Sequence, residues 1–198
     1  MEFQEVVRRR RMVRNYDPSR PVPTAIVDRL LANALRAPSA GFSQGWAFLV
    51  LSTPAERSRF WAATGDPSEP DPWSRDMQNA PLLIVPLSHK QAYLDRYAAP
   101  DKGWTDRDEA RWPVPYWDID TGFATLLMLL TAVDEELGAC FFGVPPSHTA
   151  SFREAFGVPE EYTPIGCVAA GYPAPDRRSP SLKRGHRPVE DLVHRGSW

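Results

Sequence analysis

The sequence predicts a single domain in which helices are interleaved with short buried strands. Two observations carry this. Four apolar runs, Trp46–Leu51, Leu82–Leu87, Ala139–Val144 and Ile165–Tyr172, have the length and content of core strands. The segments around them repeat apolar residues at helical spacing. With 198 residues the chain is long enough for one domain with a real core, and it holds no internal repeat or low-complexity tract.

Taken in order, residues 2–11 read as a helix with Phe3, Val6 and Val7 on one face, broken by Asn15-Tyr16-Asp17-Pro18. A second helix runs from Pro23-Thr24 to Arg36, with Thr24 as N-cap and Ile26, Val27, Leu30, Leu31 and Leu35 along its apolar side. Ala37–Gly41 is a loop. Trp46–Leu51 is a buried strand and Pro54–Ala63 a short helix. Leu82–Leu87 is a second strand, which Pro86 assigns to an end or edge position. Residues 64–116 are rich in Pro and hold Trp73, Trp104 and Trp112. They read as a variable excursion with too few aliphatic residues for a core of its own. The longest helix is Trp117–Leu137, with Asp118 and Asp120 suited to its positive end and Gly138 as its left-handed cap. It is apolar nearly all round, so it is a central helix or a subunit interface. A third strand, a helix from Ser147 to Phe156 capped by Ser147, a fourth strand, and a polar extension over 173–198 with a short helix near Val189–Val193 complete the chain.

Bulk properties exclude several function classes. The formal net charge of −2 gives no general attraction to nucleic acid or acidic membranes. The charge is uneven, however: Arg8–Arg11 and Arg14 crowd the start, and Arg177, Arg178, Lys183, Arg184 and Arg187 the end. The two cysteines, Cys140 and Cys167, sit in strand-like runs and read as buried thiols, and the four histidines form no ligand pair. No secretory signal is visible, and the longest apolar stretch, Leu126–Val133, is too short to span a bilayer. A cytoplasmic protein is expected.

Four segments could carry chemistry. On a helix, residues 3, 7, 10 and 14 share a stripe, so Arg10 and Arg14 would continue the face of Phe3 and Val7. A half-buried arginine needs an anion, and a phosphate monoester matches guanidinium geometry; a solvated helix end is the bland alternative. The loop Ala37-Pro38-Ser39-Ala40-Gly41-Phe42-Ser43-Gln44-Gly45-Trp46 combines small residues with hydroxyl and amide groups able to read the edge of a flat ligand. Cys140-Phe141-Phe142-Gly143-Val144-Pro145-Pro146 ends a strand in a glycine whose backbone N–H could face a ligand. Ser181–Pro188 is a basic tail. Each alone is equally well a turn or a solvated surface.

In this order and spacing the four segments resemble the nitroreductase family. Arg10, Arg11, Met12 and Arg14 match its R-R-S-x-R-like motif, and Ala37-Pro38-Ser39 with Gln44-Gly45-Trp46 match its A-P-S-x-x-N-x-Q-P-W loop. Leu137-Gly138, Gly171-Tyr172-Pro173, a basic pair, and Pro188, Val193, His194 and Trp198 match later motifs, so the resemblance spans nearly the whole chain. It implies an α+β fold, a three-layer α-β-α arrangement with a central mixed or antiparallel sheet. It also implies an intertwined homodimer with the long helix at its interface and FMN between the subunits. Arg10, Arg11 and Lys183 or Arg184 would hold the phosphate, with Met12 beside them and Arg14 near the pyrimidine edge. Pro38, Ser39, Ala40, Phe42 and Gln44 would line the ring, and amides around Phe142 and Gly143 would face the reactive nitrogen. Met12 replaces a small hydroxyl residue and removes one phosphate hydrogen bond, and Phe42 stands where many members carry Asn.

The implied activity is transfer of hydride from NADH or NADPH, through FMN, to an electron-poor small molecule such as a nitroaromatic or quinone. The flavin carries the chemistry, so no catalytic side chain is assigned. No G-x-G-x-x-G is present, so no Rossmann nicotinamide domain is expected. Trp104, Trp112 and Trp117 are candidates for the acceptor pocket. The G-F-x-Q pattern also resembles the enzymes that fragment flavin with oxygen to make 5,6-dimethylbenzimidazole. A non-catalytic flavin carrier is the third reading.

Overall fold

A computed structural model describes residues 1–65, 72–176 and 179–198. Arg177, Arg178 and the start of the Pro-rich segment lie outside the described residues.

Five strands form one sheet: β1 (Trp46–Leu51), β2 (Leu82–His89), β3 (Gly138–Phe142), β4 (Tyr162–Pro164) and β5 (Cys167–Gly171). The order is β1-β2-β5-β3, with β4 also on β2, and every one of these ladders is antiparallel. Among the described residues seven helices flank it: α1 (Phe3–Arg9), α2 (Thr24–Ala34), α3 (Pro54–Thr64), α4 (Pro72–Met77), α5 (Lys90–Ala98), α6 (Tyr116–Asp134) and α7 (Thr149–Phe156). Strand alternation creates three layers. Leu82 and Ile84 of β2, with Val168 and Ala170 of β5, pack against α2 and α6. Leu83, Val85 and Leu87, with Cys167 and Ala169, face the other way toward Phe60 of α3 and Phe152 of α7. The expected α+β sandwich is what forms.

Several local expectations change. The first helix stops at Arg9, because Val13 N–H pairs with the Ala139 carbonyl (3.0 Å) and Met12 forms a parallel bridge to Ala139. The open edge of β3 thus competes with continued helix. Thr24 is the first helical residue and not a side-chain cap. α6 ends three residues before Leu137, and the left-handed residue there is Glu136 (φ 59°). Gly138 instead opens β3, where a Cβ would lie 2.8 Å from the Val13 side chain. Ser147 lies within a 3-10 turn, Pro146–His148, ahead of α7 and caps nothing with its side chain.

The fourth predicted strand, Ile165–Tyr172, forms as β5 (Cys167–Gly171), and β4 (Tyr162–Pro164), which sequence reading did not place, precedes it, the two divided at Ile165 and Gly166. That division explains Pro86, which sits inside β2 opposite Phe48 and not at an end. Its carbonyl accepts from Ile165 N–H (3.1 Å) in the gap between β4 and β5, so the missing proline N–H also points where the ladder is interrupted. β2 lies within residues 64–116, where its apolar run predicts a strand.

At the start of α3, Thr53 Oγ1 accepts from Glu56 N–H (3.3 Å) while the Glu56 carboxylate accepts from Thr53 N–H (2.9 Å). This reciprocal cap is expected to make Thr53→Ala about 1 kcal/mol less stable. A thermal melt should show a fall of about 2–4 °C.

Candidate functional site

The arginine segment lies along β3 as extended chain. Phe3 and Val7 are exposed, so the helical stripe expected through Arg10 and Arg14 does not exist. Position beside the sheet edge, not helical periodicity, leaves Arg10 and Arg14 half-buried. The segment is locked by Asp176, whose carboxylate is only 5% exposed. Its Oδ2 accepts from Arg14 N–H (2.9 Å) and from Arg11 Nη1 (3.2 Å). Arg14 Nη1 donates to the Met12 carbonyl (3.3 Å), leaving most of its guanidinium uncommitted. The Arg10 side chain has no hydrogen bond or carboxylate partner among the described residues. Lys183 and Arg184 end an exposed 3-10 turn, Pro180–Arg184. A cleft lined by Arg9, Arg11, Glu136 and Pro173 opens beside the segment.

The loop from Pro38 to Gly45 is built from unusual backbone. Gly41, Phe42 and Gln44 all have left-handed φ, of 60°, 54° and 49°. For Phe and Gln this is a disfavoured conformation that must be held from outside. Inside the loop, Ser39 Oγ accepts from Gln44 N–H (3.0 Å) and Ser43 Oγ donates to the Ala40 carbonyl (2.6 Å). From α6, Asp120 Oδ2 accepts from Ala40 N–H (2.8 Å) and from Tyr93 O–H (2.8 Å). From α5, Arg96 Nε donates to the Gly41 carbonyl (2.9 Å). Burial, then the bond to Asp120, push the Tyr93 phenol far above its ordinary range, so it remains a donor. Gly45 is required where the loop meets β1: a Cβ would lie 2.5 Å from Tyr93 Cε2. The result is a rigid loop that presents the Phe42 ring at 75% exposure.

At the end of β3, Phe142 stacks on Trp61 (5.5 Å, 6°) and meets Phe60 edge-on. Beyond it, no heavy atom lies within 4 Å of where a Gly143 Cβ would stand, so its backbone is approachable. Trp104 and Trp117 pack around Trp112 together with Tyr93, Tyr97 and Tyr116, as one aromatic cluster over α5 and the start of α6. Burial pushes the Cys140 and Cys167 thiols up, away from the reactive thiolate. Among the described residues no cluster could hold a metal ion, and no helix is long and apolar enough to cross a membrane.

These pieces do not meet within one chain. The arginine segment borders β3 and the 38–45 loop leads into β1, the two ends of the order β1-β2-β5-β3. Three strand spacings separate those edges, about 14 Å. α6 exposes Ile119 (36%), Phe123 (44%) and Leu126 (46%) along one stripe, and the tail exposes Leu182, Val189, Leu192, Val193 and Trp198.

Sequence reading missed Asp120, Tyr93, Arg96 and Asp176. Asp120 was assigned to the helix dipole; the overlooked signal is a carboxylate inside a helix apolar on every side. It is only 3% exposed.

The family model described as the Nitroreductase family matches residues 7–172. A Methanothermobacter thermautotrophicus protein, provisionally named NADH dehydrogenase/NAD(P)H nitroreductase, is 25% identical over all of this chain and 88% of its own length. An iodotyrosine deiodinase of Haliscomenobacter hydrossis is 27% identical, over 98% of this chain and 89% of its own. Among solved structures, an Exiguobacterium sibiricum protein provisionally named a nitroreductase, in complex with FMN, superposes with a TM-score of 0.75 at 19% identity, covering 98% of this chain and 97% of that one.

Proposed function

The chain belongs to the nitroreductase family, and from that premise we propose that it is a cytoplasmic, homodimeric, FMN-dependent oxidoreductase that passes hydride from NADH or NADPH to an electron-poor acceptor such as a nitroaromatic or quinone. The observation that carries the reading is the set of unpaired cations. Lys183 and Arg184 lack a carboxylate among the described residues, as do Arg36 and Arg59, and Arg10 is the half-buried arginine there whose side chain has no hydrogen bond, where Arg14, Arg57, Arg96 and Arg153 each have one. A phosphate dianion fits such a donor set.

When bound, FMN supplies the two-electron chemistry. The chain's own residues bind and orient. Arg10 and Arg11, with Lys183 or Arg184, hold the phosphate; Met12 contributes backbone and thioether but no hydroxyl donor. Arg14, its backbone fixed by Asp176, places a cation where reduction leaves negative charge. Pro38, Ser39, Ala40, Phe42 and Gln44 would line the ring, and the amides around Phe142 and Gly143, where the Gly143 backbone is approachable, would face its reactive edge. Because the arginine segment and the loop lie at opposite sheet edges, the two sets come from different subunits, joined through the exposed α6 stripe. Trp104, Trp112 and Trp117 shape the acceptor side through their cluster.

The visible spectrum of the purified protein tests this. FMN-loaded protein is expected to bleach with NADH or NADPH without air, to turn over repeatedly on a quinone, and to regain its yellow colour in air. Colour that air destroys would mark flavin fragmentation instead. Colour without turnover would mark a carrier, and a protein that cannot be loaded with FMN would refute the reading.

A further inference from the structure

Phe42 and Gln44 hold left-handed backbone that neither residue favours, so something must offset that preference. Four hydrogen bonds internal to the loop contribute, two with side-chain hydroxyls and two from Phe42 N–H and Ser43 N–H to the Ser39 and Ala40 carbonyls, but all connect loop to loop and cannot fix it on the scaffold. The side-chain anchors from outside are Asp120 and Arg96, and at the end of the loop His89 N–H donates to the Gly45 carbonyl (2.9 Å). Asp120 is buried with no cation beside it among the described residues, and its Oδ2 takes two neutral donors, Ala40 N–H and Tyr93 O–H. A buried carboxylate without a cation is costly to a fold. Its bonds to neutral donors are charge-assisted, hence strong and directional. Arg96 is itself fixed by a two-pronged pair with Asp101 (2.7 Å each), which leaves Nε to hold the Gly41 carbonyl.

We infer that Asp120 is a positioning residue: through Ala40 and Tyr93 it keeps the 38–45 loop in the one left-handed form that presents Ser39, Phe42 and Gln44 to a bound flavin. The effect on binding rests on the proposed FMN site; the clamp itself does not. Because Asp120 lies on α6 between Ile119 and Phe123, the same residue ties the loop to the helix proposed to join the subunits.

The test uses the full chain. Asp120→Asn keeps shape but removes the charge that strengthens both bonds. Exchange of the Ala40 amide, measured without flavin, is expected to quicken about tenfold. The FMN dissociation constant should rise by about the same factor, since only the fraction of molecules with the loop in place can bind. Turnover per bound flavin should hold within about twofold, as expected when the competent fraction alone has changed. Adding Phe42→Asn supplies a residue that accepts left-handed backbone more easily. In the Asp120→Asn background it should return binding to within about threefold of Phe42→Asn alone. If Asp120→Asn does not fold, Tyr93→Phe removes one of the two bonds and should move the same readouts in the same direction. Unchanged Ala40 exchange, or a binding loss that Phe42→Asn does not recover, would overturn the assignment. A parent protein that binds no FMN would refute the functional reading instead, and Ala40 exchange would still decide the clamp.

Discussion

Arg10→Ala is expected to weaken FMN binding about a hundredfold, by removing a charged, two-pronged donor from a phosphate, while leaving riboflavin binding within about threefold of the parent, since riboflavin lacks that group. The Arg10 side chain has no hydrogen-bond or carboxylate partner among the described residues, so its removal uncovers no buried carboxylate. Its backbone N–H, which bonds the Val6 carbonyl (3.0 Å), is kept in the alanine variant. Arg11→Ala should behave differently. It removes one of two donors from the buried Asp176 as well as a phosphate donor, so it should weaken riboflavin, by loosening the segment that carries Arg14, and FMN by more. Fluorescence titration of both ligands against both variants separates the two roles. Equal losses for FMN and riboflavin in Arg10→Ala would place Arg10 away from the phosphate.

The scaffold was legible where burial follows a simple period. β1 has the bounds its apolar run predicts, and α3, α6 and β5 fall within a few residues of theirs. The alternation of β2 between two cores follows from a strand buried on both sides. Errors gather where a distant partner overrides local preference. Arg10–Arg14 would continue a helix but for the edge of β3, more than a hundred residues on. Gly138 looks like a helix cap, yet its lack of a side chain serves contact with Val13. Pro86 reads as an edge residue because sequence cannot show that β4 and β5 leave a gap opposite it. The site divides in the same way. The arginine segment and the 38–45 loop are contiguous in sequence and stood out through their motifs. The residues that hold them, Asp176 and Asp120, do not, because Asp120 acts on Ala40 across 80 positions and on Tyr93 across 27.

Phe123→Asp is expected to abolish stable FMN binding and to give a monomer, although the residue is assigned to neither half of the flavin site. An isologous contact brings the α6 stripe of one subunit onto that of the other, so a single substitution acts twice. Two carboxylates would then lie in a surface where Ile119, Phe123 and Leu126 are otherwise apolar. Burying each costs several kcal/mol and the two repel, so dimer dissociation should rise by about three orders of magnitude or more. Phe123 is already 44% exposed in the single chain, so the subunit fold need not fail: circular dichroism should stay near that of the parent, with a melting temperature lowered only by the loss of the partner. Sedimentation and flavin titration on the same sample decide the matter. A monomer that binds FMN as well as the parent would show that one chain completes the site, and the assignment of the arginines and the loop to different subunits would fall. A dimer that persists with FMN intact would remove α6 from the interface. Loss of both together, recovered by Phe123→Leu, is the result that a two-subunit flavin site requires.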